Sequence, residues 1–236
     1  CIPCTAKKFE VQRPDQSAAG VPDVDIAITT RELARMISVA GIDYNALADE
    51  AFDDPIGKGT GAGVIFGVTG GVMEAALRTV YHALTGKEHD LIEFDEVRGF
   101  DGIKEASIDI DGTVVNVAIA HGMKNAKVLL DEIRDGKSKY HFIEIMGCPG
   151  GCIAGGGQPI VRSCFMPDED ADIYDTYKDK RAAAIYSEDE RQVVRQSHNN
   201  TQIKKLYEDF LGEPNSHKAH ELLHTTYEAR IGFNDR

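Results

Sequence analysis

The chain has 236 residues, 42% of them hydrophobic and 28% charged, an ordinary globular composition that excludes a disordered tail, collagen and a small disulfide scaffold. Its net charge of −13 argues against non-specific attraction to nucleic acid or to an anionic membrane, so the partners should be proteins or small molecules. The uncharged stretch from Gly59 to Met73 is shorter than the roughly 18 apolar residues a bilayer requires and is broken by glycines, so no membrane span is expected.

In chain order, the first residue is Cys1, with no basic and apolar leader ahead of the folded pattern, which reads as a piece of a longer protein. The run VDIAIT from Val24 to Thr29 reads as a buried strand. Thr30, Glu32, Leu33, Met36 and Ile37 then read as a capped helix. A loop from Asp53 to Gly63 precedes one long apolar helix from Val64 to Leu84. Strands are expected at Leu91 to Phe94, Ala106 to Ile110 and Thr113 to Ile119, the last two joined by the hairpin signal Asp111-Gly112. A helix from Asn125 to Ile133 ends at Asp135-Gly136, and Phe142 to Met146 is another buried strand. The expected class is α/β, a mixed or parallel sheet flanked by helices, followed by an all-helical C-terminal module. Its helices should lie near Ala171 to Tyr186, Glu188 to Gln196, Gln202 to Leu211 and Ser216 to Tyr227. The corresponding division is 1–166 and 167–236.

Five cysteines, Cys1, Cys4, Cys148, Cys152 and Cys164, are too few and too uneven for a secreted disulfide framework, so a cytoplasmic location is expected. Cys148-Pro-Gly-Gly-Cys152 runs from a strand end into Gly155-Gly156-Gly157-Gln158-Pro159. Glycines let backbone approach a bulky anionic group, and two thiolates four positions apart can grip one metal cluster. With Cys1-Ile-Pro-Cys4 they make four thiols, enough for zinc or an iron-sulfur cubane, and spacing alone nominates Cys1 as the fourth ligand. Pro3, however, holds Ile2 extended and should point Cys1 and Cys4 in different directions, which favours leaving Cys1 out of the set. Lys7 lies close enough in sequence to Cys4 to place an ammonium beside the site. Two other patterns compete. His220-Glu-Leu-Leu-His224 satisfies the zinc-peptidase pattern H-E-x-x-H, with His217 as a possible third ligand on the same helix face but without the downstream extension. Gly57-Lys-Gly-Thr-Gly-Ala-Gly63 suggests phosphate binding but fits neither standard phosphate-loop register, and reads as a loop leading into a helix.

Three blocks together resemble the FeFe-hydrogenases. Pro3-Cys4-Thr-Ala-Lys7-Lys-Phe-Glu10 is similar to the family's P-C-x-x-K-x-x-E motif, and Glu144-Ile-Met146-Gly-Cys148-Pro-Gly-Gly-Cys152-Ile-Ala-Gly-Gly-Gly-Gln158-Pro159 to its E-x-M-x-C-x-x-G-C-x-x-G-G-G-Q-P motif. Between them, the glycine-rich stretch from Gly63 to Arg78 that contains Phe66 resembles the segment beside the family's active site. Tyr186, Asp189, the run from Arg195 to Asn199 and His220 to Tyr227 resemble its small-subunit domain, where H-E-L-L-H would be a structural wrapping helix.

The resemblance implies reversible reduction of protons to hydrogen at an H-cluster, a 4Fe-4S cubane joined to a diiron centre with CO, CN and dithiolate ligands. It implies Cys4, Cys148 and Cys152 as cubane ligands, with Cys152 sharing its sulfur with the diiron unit and Lys7 donating to a cyanide. Met146 and Phe66 would pack around the diiron site, and Gly155, Gly156 and Gln158 would line the cofactor. The family's T-S-C-C-P-x-W motif, source of the fourth cubane ligand and the relay cysteine, is absent from residues 1–236. The cluster would therefore be incomplete in this chain, and the partners would be the missing N-terminal part of the same enzyme plus ferredoxin and/or an NAD(P)H-oxidising subunit. A sensory or assembly protein of the same fold is the alternative, with a zinc peptidase through His220 and His224 more remote.

Overall fold

The computed structural model describes residues 1–51, 53, 57–88, 93–160 and 171–227. Among these residues the sheet has three strands, β1 (Ile103–Ile110), β2 (Thr113–His121) and β3 (Phe142–Met146), in that spatial order. β1 and β2 are antiparallel, and β2 and β3 are parallel, as a mixed sheet requires. The hairpin closes on Asp111 and Gly112, both at positive φ (51° and 86°), the primed turn that matches strand twist. Helix α5 (Met123–Arg134) carries the chain from β2 to β3 and stops where Gly136 turns left-handed at φ 68°.

Alternation along β2 assigns the two faces of the sheet. Val117 and Ile119 join Ile108 and Ile110 against Met73 and Leu77, while Ala118 and Ala120 face Leu129 of α5. Burial of each large apolar side chain here is worth about 1.5–3 kcal/mol. Met73 and Leu77 belong to α4 (Gly71–Thr85), so both sides of the sheet are covered.

The long helix expected from Val64 is two helices, α3 (Gly61–Ile65) and α4, set apart by a sharp turn. Gly70 sits at φ +92° with Val97 O only 2.0 Å from where a Cβ would stand, and a Cβ on Gly71 would meet Ile65 O at 1.7 Å. Only glycine permits that turn.

The strand expected at Val24 to Thr29 does not form. Val24 and Ile26 are exposed, and among the described residues the segment makes one isolated bridge, Ile2 to Thr29, with no strand of the sheet paired to it. Helix α2 (Thr30–Val39) follows, capped by Thr29 rather than Thr30: Glu32 N donates to Thr29 Oγ1 at 3.2 Å and Thr29 N to Glu32 Oε2 at 2.8 Å. Of the strand expected at Leu91 to Phe94, residues 91 and 92 lie outside the described residues; Phe94 precedes a single 3-10 turn, Asp95–Val97.

The C-terminal region is helical, with α6 (Ala171–Arg191), α7 (Thr201–Leu206) running into a π turn (Tyr207–Leu211), and α8 (His217–Leu223). The separate helix expected from Glu188 is absent. α6 runs on to Arg191, and the chain then opens so that Val194 O and Arg195 O accept from Gly61 N (2.9 Å) and Ala62 N (2.8 Å) at the start of α3. Beside this junction Arg78, fully buried, donates to Glu74 Oε1 at 2.8 Å and to Asp189 at 2.9 and 2.8 Å. No helix among the described residues is long and apolar enough to cross a membrane.

Candidate metal-cluster site

The cysteine-glycine loop leaves the C-terminal end of β3 and is gripped from three directions. Towards the α3–α4 turn, Ile153 N donates to Gly67 O at 3.1 Å and Thr69 N to Gly150 O at 3.1 Å. Gly151 (φ +95°) is forced by that contact, since a Cβ would lie 2.7 Å from Thr69 N. Towards the N-terminus, Gly157 N donates to Pro3 O at 2.9 Å, and a Cβ on Gly155 would stand 2.2 Å from the same oxygen. A Cβ on Gly156 would be 2.9 Å from Thr5 Oγ1, and one on Gly157 2.9 Å from Thr29 Cβ. Pro3-Cys4-Thr5 is therefore laid directly on the glycine triplet, which delivers Cys4 to a loop more than a hundred residues away in sequence. From the third side, Arg181 of α6 donates to Ile153 O at 2.9 Å and Pro159 O at 3.1 Å.

The thiols of Cys4, Cys148 and Cys152 consequently act on one another. All three are free and at least partly exposed. Burial and then the Cys4 thiol push Cys148 above its ordinary value. Burial, Cys148 and Cys4 do the same to Cys152, opposed by the Lys7 ammonium. Lys7 opens the short helix α1 (Lys7–Glu10) and pairs with Glu10. Three soft donors that repel one another's ionisation, with one nearby cation, suit a group of iron ions, which stabilises thiolates directly.

The other residues expected at the site lie on the cysteine-glycine loop or on the segments that adjoin it. Phe66, half-exposed, immediately precedes Gly67, which receives the Ile153 amide. Met146 is the last residue of β3, and its carbonyl accepts from Gly122 N at 2.8 Å. Gln158 O accepts from Arg31 at 2.7 Å, and Gln158 N donates to Gly155 O at 3.0 Å. Cys1 is exposed, and Cys164 lies outside the described residues.

Both competing motifs are absorbed elsewhere. α8 ends at Leu223, so His224 is extended (ψ 147°) and does not share a helical face with His220; the two rings instead meet through Nδ1 atoms 2.7 Å apart. In the Gly57–Gly63 loop, Lys58 N donates to Gln202 Oε1 at 2.8 Å and Gly61 and Ala62 to carbonyls, so these amides are not available to cradle a phosphate.

Sequence reasoning quoted Glu144 without assigning it a role. It is buried and accepts from Gly70 N at 2.6 Å and Met73 N at 2.7 Å, an anion at the N-terminus of α4. Burial pushes its carboxyl up, against the amides and Lys104. Thr29, Arg31 and Arg181, which hold the loop, were also missed. A charge inside an apolar strand was a readable signal for Glu144; the clamp of backbone carbonyls had none.

A family described as iron only hydrogenase large subunit, C-terminal domain matches residues 1–156, and one described as iron hydrogenase small subunit matches 175–230. The chain belongs to the iron-only hydrogenase family. It is 47% identical over 226 residues to the NADP-reducing hydrogenase subunit HndD of Solidesulfovibrio fructosivorans, covering 96% of this chain and 37% of that protein. A periplasmic Fe hydrogenase large subunit of Nitratidesulfovibrio vulgaris is 55% identical over 68% of this chain and 38% of its own length. Among solved structures, apo FeFe-hydrogenase HydA1 of Chlamydomonas reinhardtii matches with a TM-score of 0.72 and 40% identity, over 96% of this chain and 61% of that one. A weaker likeness, 31% identical over 97% of this chain and 46% of the relative, runs to the cytosolic Fe-S cluster assembly factor narfl of Xenopus tropicalis. The chain thus spans less than half the length of these curated relatives.

Proposed function

We propose that this iron-only hydrogenase chain provides most of the protein shell of an H-cluster in an enzyme that reversibly reduces protons to hydrogen, with electrons from ferredoxin and/or NAD(P)H. The observation that carries the reading is the convergence of Cys4, Cys148 and Cys152, with Lys7 acting on Cys152, over a loop whose glycines leave room for the N-terminal segment. Cys4, Cys148 and Cys152 would hold the iron, Lys7 would offer its ammonium to anionic ligands, and Phe66 and Met146 would flank the centre. The group, when bound, supplies two-electron redox chemistry with protons. The chain's own work is to fix the thiolates, place a positive charge beside them and present backbone rather than side chains to a bulky anion. The fourth thiolate would come from a polypeptide carrying the T-S-C-C-P motif, and a reducing, cytoplasmic compartment suits the free thiols.

The test is anaerobic reconstitution of the 236-residue chain with iron, sulfide and a preassembled diiron carbonyl-cyanide dithiolate complex, alone and with such a polypeptide, read by iron content, protein-bound carbonyl and cyanide infrared bands and hydrogen evolution. Hydrogen evolution should require both components and be lost in Cys4→Ala but retained in Cys1→Ala. Turnover by the chain alone would sink the three-ligand reading, and dependence on Cys1 rather than Cys4 would favour a local C-x-x-C site. The likeness to an assembly factor supports a second reading, an iron-sulfur protein without a diiron unit; iron without carbonyl and cyanide bands in the complemented protein would decide for it.

A further inference from the structure

We propose that His82, Glu88 and His198 bind one borderline divalent cation of the zinc class, at a site separate from the cysteines. Thr69, which touches the cysteine loop, precedes α4, and His82 lies in its last turn, about 17 Å along the axis from Gly71. Among the described residues this is the one group of three histidine, cysteine or acidic side chains whose ligand atoms all lie within 4.8 Å of one another. Two imidazole nitrogens and a carboxylate form the three-ligand set of zinc sites that keep a fourth position for water.

The distances suit an ion. His82 Nδ1 lies 3.3 Å from Glu88 Oε1, and His198 Nε2 lies 3.2 and 3.3 Å from the two carboxylate oxygens. Bonds of about 2.0–2.1 Å to a tetrahedral zinc place neighbouring donors about 3.3 Å apart. The hydrogen bonding around His198 permits the same role. His198 Nδ1 is 3.3 Å from Thr79 Oγ1, so a proton on Nδ1 donated to that hydroxyl turns the Nε2 lone pair towards Glu88. His82 Nδ1 is shielded from solvent yet makes no hydrogen bond. Neutral tautomers would let each ring donate separately to Glu88, whereas one divalent cation engages all three donor atoms at once with both imidazoles neutral.

Glu88 is further fixed by Gln196 Nε2 at 3.1 Å and by the side chain of Asn199. Such outer partners orient ligands in metal sites. The two rings are stacked at 4.4 Å and 12°, and since the lone pairs lie in the ring planes, binding requires side-chain rotation that opens the stack. His82 has the freedom for it, being 40% exposed at the end of α4. A bound cation would join the end of α4 to the C-terminal region, tying the part of the chain matched by the large-subunit family to the part matched by the small-subunit family. The three residues are too dispersed in sequence to make a motif.

The experiment uses the metal-stripped chain, Zn2+ alone as probe, calorimetric titration, zinc-edge X-ray absorption and thermal unfolding. The parent should bind a zinc with a nitrogen and oxygen shell, and its Tm should rise with zinc by mass action. Affinity at that site should fall at least about tenfold in both His82→Ala and Glu88→Gln, with the Tm rise lost. Circular dichroism checks that each variant is folded, and Glu88→Gln preserves side-chain shape if His82→Ala does not fold. The proposal is overturned if zinc appears only in a sulfur shell, if none binds, or if both variants keep the nitrogen and oxygen signal. A sulfur shell reports on the cysteines, so failure here and failure of the hydrogenase reading give different signals.

Discussion

Lys104 and Glu144 face one another where the cysteine loop, α4 and the sheet meet, and each is shaped by burial. Lys104 Nζ donates to Val97 O and Gly99 O at 2.8 Å and to Thr69 O at 3.4 Å. Burial holds its pKa down at about 8, with Glu144 and Asp101 opposing. Between about 8 and the ordinary value of 10.5 the unfolded chain binds the proton and the folded chain does not, so this lysine makes stability rise with pH across that window. The stability difference between the parent and Lys104→Met, measured by urea unfolding, should therefore move in the parent's favour between pH 8 and 10.5, on the order of 1–3 kcal/mol. A pH-independent difference would show that another group titrates there. At Gly155 the constraint is steric. An added Cβ must displace Pro3 O, 2.2 Å away, so Gly155→Ala should cost about 1–3 kcal/mol and lower iron uptake on reconstitution, because the displaced segment carries Cys4.

Packing between elements rests on a buried ion network rather than on hydrophobic contact alone. Arg78 in α4 is bracketed by Glu74, one turn away, and Asp189 in α6, all with no side-chain exposure, while Arg98 and Arg195 reach the same two carboxylates at 2.8 and 2.6 Å and share Glu93, which balances the charge. Burial drives Asp189 up, but hydrogen bonds from Arg78 and Arg195 outweigh it and hold the carboxyl below its ordinary value. Asp189→Ala would strand Arg78 with one partner fewer and should cost about 3–5 kcal/mol in chemical denaturation, whereas a loss below about 1 kcal/mol would mean that water reaches the site. The Glu74–Arg78 pair had a sequence signal, opposite charges four apart in an apolar helix, but its third member is 111 residues distant. The same limit separates the elements that could be read from those that could not. The β1–β2 hairpin and the end of α5 follow from Asp111-Gly112 and Asp135-Gly136, local turn chemistry that needs no partner. VDIAIT has the composition of a strand and does not become one because strand formation needs a neighbour, and among the described residues it bridges only to Ile2. The break between α3 and α4 is visible as Gly70-Gly71 only once Val97 and Ile65 are known to press on it.

Across the whole molecule, the cysteine loop is the meeting point of segments from both ends of the chain. The cysteine and glycine spacing was legible because Cys148, Cys152 and the glycines share one short stretch. The hands that hold the loop are not, since Arg181 recognises backbone carbonyls, which every sequence provides. Its two guanidinium nitrogens reach Ile153 O and Pro159 O on either side of the glycine triplet, so the C-terminal helical region acts as a clamp on the loop that carries Cys152. A planar fork makes both bonds at fixed geometry, and a lysine cannot. Arg181→Ala and Arg181→Lys should therefore both speed amide hydrogen exchange in residues 152–158 and lower iron retained after anaerobic reconstitution. Global stability should fall by only about 1–2 kcal/mol, because Arg181 is remote from the packed face of the sheet. If exchange in the loop is unchanged while global stability collapses, Arg181 is holding α6 in place instead, and the helical region would support the cluster loop only by supporting the fold.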